Sequence, residues 1–495
     1  MRLHVFSNQQ VALAAVEAAL RDSGVSFQRD ERVERTWLDT FDLRLTGLGM
    51  RLETTRGRTT TTTLFQADHP PAFIAGPDAP RFAADAAAGP FRQRLAAAAG
   101  VRAFLPVATL TATARVGEVR NADAKVVARV SVFDHVAVGV GASLGWAIEV
   151  DELVGYDGPN DRLIRRLHDL GLRAHEGDLF DLAVVENLIK LVDHSSRPVS
   201  RFDANERALH GYRRVLARLF ETVELNWDGA ARDVDPEFLH DLRVALRRTR
   251  TVLTNAKGVI AERDRDHFLA EFHFLAGATS EPRDLDVAAL GWRGSVHAIA
   301  GLRARDVAPV EAALATRRAA AHKRLTRDLA SRRTSTLLRD WERWLTTEPA
   351  DDLVRAGLPL RSVVSRRLER LRSTLRDDER DFTAEGRHTT RKDAKQLRYM
   401  VECFGGAFDA DVRKKFVKQL SAFQDRLGNA QDASVQAALL RDLLRGGDYT
   451  PDTLVAAGRL TEAIEARARV AGPKDLRLFT KKVDRCFHDL IESRR

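Results

Sequence analysis

The chain is short of the residues that build redox and thiolate chemistry: Cys403 and Cys486 are the only cysteines among its 495 residues. Two cysteines are too few for a disulfide framework, a zinc ribbon or a thiolate cluster. A long apolar run is also missing. The longest uncharged stretch, Val136 to Ile148, holds several glycines and falls short of the roughly 20 residues that cross a bilayer, so it reads as sheet. No GxSxG, P-loop or GxGxxG stands where a strand meets a helix, which leaves hydrolase, kinase and dinucleotide readings without a motif. Met1 to Leu20 carries Glu17 and no small-residue cleavage site behind an apolar core, so a secretory signal is not expected and the chain reads as cytoplasmic.

Apolar residues make up 44% and charged residues 30%, which excludes a disordered, collagenous or membrane-spanning chain and predicts two to four soluble domains. The net charge of +9 is unevenly spread. Residues 1–195 hold 22 Lys and Arg against 25 Asp and Glu, leaving 57 against 45 for residues 196–495. The second part is therefore basic, and an asymmetry of this kind suggests an anionic partner.

Short alternating, β-branched runs at Thr59 to Phe65, Thr109 to Val116 and Val126 to Val132 predict antiparallel strands. Helices are expected at Gln10 to Asp22, at Asn160 to Leu170, and in the Ala-rich segment that begins near Phe82 or Pro90. Residues 1–195 thus read as an α+β domain. From Asp203 the texture changes to apolar residues at three and four spacing, broken near Asp233 to Pro236, Ser280 to Pro282, Pro349, Pro359, Gly405, Gly446 and Gly472. Eight to ten helices account for residues 200–490, with a linker around Pro198.

This helical part repeats itself. His240, Arg243, Arg247 and Arg250 stand at relative positions 0, 3, 7 and 10, and His388, Arg391, Lys395 and Arg398 repeat the spacing 148 residues later. On a helix these positions share one face, so each copy presents a basic ridge, with Arg248 and Lys392 beside it. A second echo follows: Phe274 to Ala276 with Arg283, Asp284 and Asp286, then Phe423 to Asp425 with Leu427, Gly428, Gln431 and Asp432. The halves run over about 203–345 and 355–490. A basic stripe is ordinarily a solvated face paired with acids one turn away. Here the stripes contain only Asp241 and Asp393, too few to neutralise four or five cations each. Duplication predicts a pseudo-twofold that sets the two ridges face to face.

The strings HxxRVxxRRxR at His240 to Arg250, HxxRKxxKxLRY at His388 to Tyr399 and LGxxQD at Leu427 to Asp432 resemble the CHAD domain. That resemblance implies an all-α fold of two pseudo-symmetric four-helix bundles that binds inorganic polyphosphate along a basic face and locates to polyphosphate granules. The ligand residues it implies are His240, Arg243, Arg247, Arg248, Arg250, His388, Arg391, Lys392, Lys395, Arg398 and Tyr399. Trp37 to Leu45 with Gly49 to Leu52 is similar to the CYTH, or triphosphate-tunnel, family, which implies an antiparallel β-barrel for the first domain.

The departures from that family are specific. Its opening ExExK strand is replaced by Arg2 to Ser7, Glu53 stands for the second arginine of its RxR strand, and Thr59 to Phe65 offers threonines where a lysine is expected. Glu149 and Asp151 are the remaining inward acids expected, and Arg51 and Arg115 the remaining anion contacts. A triphosphatase needs carboxylates to hold Mg²⁺ or Mn²⁺, so the barrel is read as inactive and no catalytic residue, metal or cofactor is assigned. The alternatives are a metal-dependent triphosphatase or polyphosphatase and a nucleic-acid binder. Against the latter, the ridges carry no stacking aromatics apart from Tyr399 and no base-reading motif. His267, His273 and His297 read as surface or packing residues, Trp341 and Trp344 as core. No membrane contact is expected, and the oligomeric state is left open.

Overall fold

The computed structural model describes residues 3–66, 69–76, 78–151, 153, 155–191, 201–203, 205–347, 355–378, 383–466 and 473–492. The chain divides into two compact units, residues 1–195 and 196–495. The first contains β1 (Leu3–Ser7), α1 (Leu13–Asp22), β2 (Ser26–Phe27), β3 (Glu31–Asp39), α2 (Arg44–Gly47), β4 (Met50–Arg56), β5 (Thr60–Gln66), β6 (His69–Ala75), α3 (Pro90–Ala99), β7 (Leu105–Arg120), β8 (Val126–Val138), β9 (Ala142–Asp151), α4 (Asp157–Asp169), β10 (Arg173–Glu176) and α5 (Leu179–Val185).

The strands form one antiparallel sheet in the order β10-β1-β9-β8-β7-β3-β4-β5-β6, with β2 beside β7. Strand alternation gives it two apolar faces. Phe6, Val132 and Ile148 point outward against Val16 and Leu20 of α1 and Leu163 and Leu167 of α4. Val5, Trp37, Phe133 and Ala147 point inward, where Phe180, Leu182 and Ala183 of α5 cover them. In a flat sheet β3 and β9, three strands apart, would lie about 14 Å from each other. Arg35 of β3 nevertheless reaches Glu149 of β9 at 2.8 Å across the concave face, so the sheet is strongly curled. Among the described residues no pairing of β10 with β6 closes the ring. Pro70 and Pro71 lie in β6; as an edge strand it tolerates missing N–H donors.

The second unit contains α6 (Ala208–Ala231), α7 (Pro236–Thr254), α8 (Glu262–Ala278), α9 (Ser280–His297), α10 (Ala308–Leu329), α11 (Arg332–Thr346), α12 (Leu360–Asp378), α13 (Ala384–Cys403), α14 (Ala410–Gly446), α15 (Pro451–Ala466) and α16 (Pro473–Glu492). No strand occurs among its described residues. The 148-residue offset of the motifs holds for the helices. Shifted by it, α7 falls on α13, and α8 with α9 falls on the 37 residues of α14. The break near Thr279 in the first copy, absent from the second, yields eleven described helices rather than ten.

Equivalent caps start the motif helices. Asp235 accepts from the backbone N–H groups of Glu237 and Phe238, and Thr383, 148 residues on, accepts from Gly386. The two halves share apolar packing. One apolar core joins Leu285, Trp292 and Val296 of α9 and Leu314 of α10 to Ala437 and Leu440 of α14 and Leu460 of α15. Each repeat therefore contributes elements that are buried against the other. Trp341 is buried against Phe268 and Phe272, and Trp344 donates its indole N–H to Asp264.

At the α6–α7 turn, a methyl group on Gly229 would stand 2.2 Å from the buried ring of Phe238. Gly229→Ala should overpack this corner and lower stability by about 1–3 kcal/mol, read as a reduced thermal midpoint. An unchanged midpoint would show that the corner is loose.

Candidate anion-binding site

Helices α7 and α13 pack against each other, and this contact gathers the basic residues. The Arg243 guanidinium donates to the Ala276 carbonyl (3.4 Å) and to the hydroxyls of Thr279 (3.1 Å) and Ser280 (2.7 Å). Burial, together with the neighbouring Arg247 cation, pulls it down to about 10, although Asp284 opposes the shift. Lys395 of α13 is pulled down to about 8, first by burial, then by Arg391 of its own helix and Arg247 of α7. Lys395 of α13 therefore feels a cation of α7.

The repeat extends to the groups that hold these side chains. Arg250 bonds His273 Nδ1 at 2.9 Å, and its counterpart Arg398 donates to Ser421, the counterpart of His273, at 3.3 Å. Asp284 and Asp432 are likewise 148 residues apart. Arg391 donates to both Asp432 carboxylate oxygens (3.0 and 3.3 Å). Burial raises Asp284, with Asp432 adding to the shift while Arg243 and Arg247 oppose it. Asp284 and Asp432 thus face a larger set of cations.

The sequence-derived residues do not all occupy equivalent places. Arg247 and Lys395 make no side-chain hydrogen bond or ion pair among the described residues, and Lys392 is exposed. Arg248 is different: it lies buried in an ion pair with Glu402 at 2.5 Å. Its partner comes from α13, which is why counting acids within its own helix overestimated the free charge. Glu402 also lies 3.8 Å from Arg398. Tyr399 is buried at 7% exposure, with Arg248 and Arg398 over its ring, so it supports cations and offers no open stacking face. His240 is half-buried on α7. His388 lies on α13, but its side chain, like those of Leu427, Gly428 and Gln431, is outside the described residues.

Other echo residues are structural. Arg283 donates to the Pro236 carbonyl, and Asp286 is buried against Arg318, which also binds Asp233. His273 is exposed but holds Arg250, a role its isolated position in the sequence does not reveal.

In the first unit the concave face is self-paired. Arg35 bonds Glu53 (2.7 Å), Glu149 (2.8 Å) and Asp178 (3.1 Å), and Leu179 donates its backbone N–H to Glu149. Burial works against the Arg35 cation, but the three carboxylates outweigh it and hold it charged. Burial also pushes Glu149 up against the pull of Arg35. Arg51 pairs with Asp178 and Asp181 beside a cavity of about 530 Å³. Asp178, the cap of α5, went unrecognised in the sequence because β10 and α5 are short. Arg115 was expected among the anion contacts, but it pairs with Glu17 of α1 and with Asp30. Asp151 has Arg129 4.0 Å away. Among the described residues no cluster of three His, Cys, Asp or Glu side chains could hold a metal ion.

Comparison with known proteins addresses the helical unit directly. Residues 214–441 match the family model of the CHAD domain. Among solved structures, the CHAD domain from the plant Ricinus communis is 21% identical, with 57% of this chain and 96% of that chain covered and a TM-score of 0.48. PptA from Streptomyces chartreusis is 17% identical, with 56% and 98% covered and a TM-score of 0.42. HpAC1 from Hippeastrum, described as having a dominant triphosphatase activity, is 11% identical, with 39% and 98% covered and a TM-score of 0.27. No curated protein matches.

Removing the shared cation of the first unit tests its self-pairing. Arg35→Met should cost about 3–5 kcal/mol in urea unfolding, because three carboxylates remain buried without it. Their native pKa values then lie above the unfolded ones, so the loss should shrink as pH is lowered from 8 to 5. A pH-independent loss would contradict this account.

Proposed function

We propose that the protein binds inorganic polyphosphate through the α7–α13 face of its CHAD domain. The supporting observation is the meeting of Arg247 of α7, which also acts on Arg243, with Lys395 of α13 beside Arg391, a repulsion that an extended anion would relieve. Arginine suits repeated bidentate phosphate contacts, and adjacent contacts on one polymer raise the effective concentration of the next. Affinity should therefore grow with chain length and fall with salt. Placement at polyphosphate granules follows from the same reading. Among the described residues no helix is long and apolar enough to cross a membrane.

The reading includes no catalytic step. Hydrolysis by the first unit would need carboxylates free to hold a divalent cation. Glu53, Glu149 and Asp178 instead share Arg35, which supports a non-hydrolytic role. Nucleic acid is the rival polymer. The burial of Tyr399 supports the slimmer phosphate chain, because base stacking needs exposed aromatic faces.

The deciding measurement is competition between long polyphosphate and DNA at equal phosphate concentration. Polyphosphate should win, and Arg247→Glu with Lys395→Glu should weaken its binding at least tenfold. Equal displacement by DNA, or unchanged binding by the double variant, would overturn the proposal.

The pH profile supplies a second test. Lys395 is charged below about pH 8 and neutral above it, so affinity should decline as pH rises through that value. Lys395→Arg, which stays charged, should move the decline to higher pH. An identical profile for both proteins would remove Lys395 from the site.

A further inference from the structure

A second basic cluster lies away from the α7–α13 face. Arg355, Arg366, Arg367 and Arg370, with Leu358 and Val363, line a pocket of about 50 Å³ beside the first turns of α12. Positions 366, 367 and 370 fall within about 100° on the helix, so its geometry gathers three guanidinium groups on one side. Arg355 comes from the loop before α12. That loop is fixed by bonds from Ala208 to the Leu358 carbonyl (2.8 Å), Leu209 to Ala356 (3.1 Å) and Leu360 to Glu206 (2.7 Å).

The opposite wall is also built. Gly258, in the left-handed region at φ +78°, lets the α7–α8 turn pass close to Arg355, and Arg367 donates to the Lys257 carbonyl. Arg355, Arg366 and Arg370 make no side-chain hydrogen bond or ion pair among the described residues. Burial lowers Arg367, and Arg355, Arg370 and Arg265 add to the shift while Tyr212 opposes it. Arg265 carries its own acids, Glu262 and Asp266, and Glu369 of α12 is exposed.

We propose that this arginine pocket is a separate binding site for one terminal phosphoryl group. Arg366 and Arg370 are exposed at its mouth; several permanent cations around so small a volume favour a compact dianion, and the space is too small for a nucleoside or a run of polymer. The group has two sources: the end of a polyphosphate chain or a free small phosphate such as pyrophosphate. The site does not depend on the function proposed for α7 and α13.

The test titrates pyrophosphate into the full-length protein by calorimetry. Combined Arg355→Gln, Arg366→Gln and Arg370→Gln should weaken binding at least tenfold without lowering the thermal midpoint of the free protein. Arg247→Glu with Lys395→Glu should leave pyrophosphate binding intact. Long polyphosphate with esterified ends separates the sources: lower affinity than the open-ended polymer assigns the pocket to chain ends, equal affinity to free phosphates. Unchanged pyrophosphate binding in the triple variant overturns the site. Asp351 and Asp352 precede Arg355 and lie outside the described residues. Binding that appears only in Asp351→Asn with Asp352→Asn would mean that the chain fills its own pocket, and would also overturn it.

Discussion

Repulsion between cations on two packed helices is the constraint around which the helical unit is organised. Burial dries Arg243 and Lys395, and the α7–α13 contact sets Lys395 against Arg247 as well as against Arg391 of its own helix. Burial and like charge act in the same direction, and the lysine, whose proton is the more easily lost, yields further into the physiological range. Glu402 and Asp432 neutralise Arg248 and Arg391, while Arg247 and Lys395 are left without such partners among the described residues. Glu402 therefore ties α13 to α7 and Asp432 ties α14 to α13, and neither pairs with Arg247 or Lys395.

Duplication explains how so much like charge is held in one place. The 148-residue offset relates the basic residues, their helix caps, the pair Asp284 and Asp432, and the anchors His273 and Ser421. The distal core takes α9 and α10 from one half and α14 and α15 from the other, so the two halves share apolar packing. Packing energy thus supports an electrostatic arrangement that is unfavourable when considered alone.

Much of this was legible from spacing. Periodicity fixed the helical character of the second unit, and the repeated ridge identified α7 and α13 before any coordinates. What spacing could not show was the third dimension of pairing. Glu402 lies outside the stripe that contains His388 to Arg398, yet it faces Arg248 on the other helix. Tyr399 reads as a stacking ligand in a string, but its ring is covered by two arginines. In the first unit, Arg35 and Asp178 are 143 residues apart and meet through sheet curling, which no local pattern encodes.

The two units show opposite outcomes for buried charge. On the concave face of the sheet, Arg35 is shared by three carboxylates and Arg51 by two, so each cation is already saturated. A triphosphate entering there would have to displace internal carboxylates and leave them desolvated, a penalty that phosphate contacts must first overcome. On the α7–α13 face the balance is reversed, because the resident acids are fewer than the cations, and this difference underlies the proposed polyphosphate site. Charge count alone therefore does not identify an anion site. The deciding quantity is how much of the cationic capacity the fold has already spent on itself.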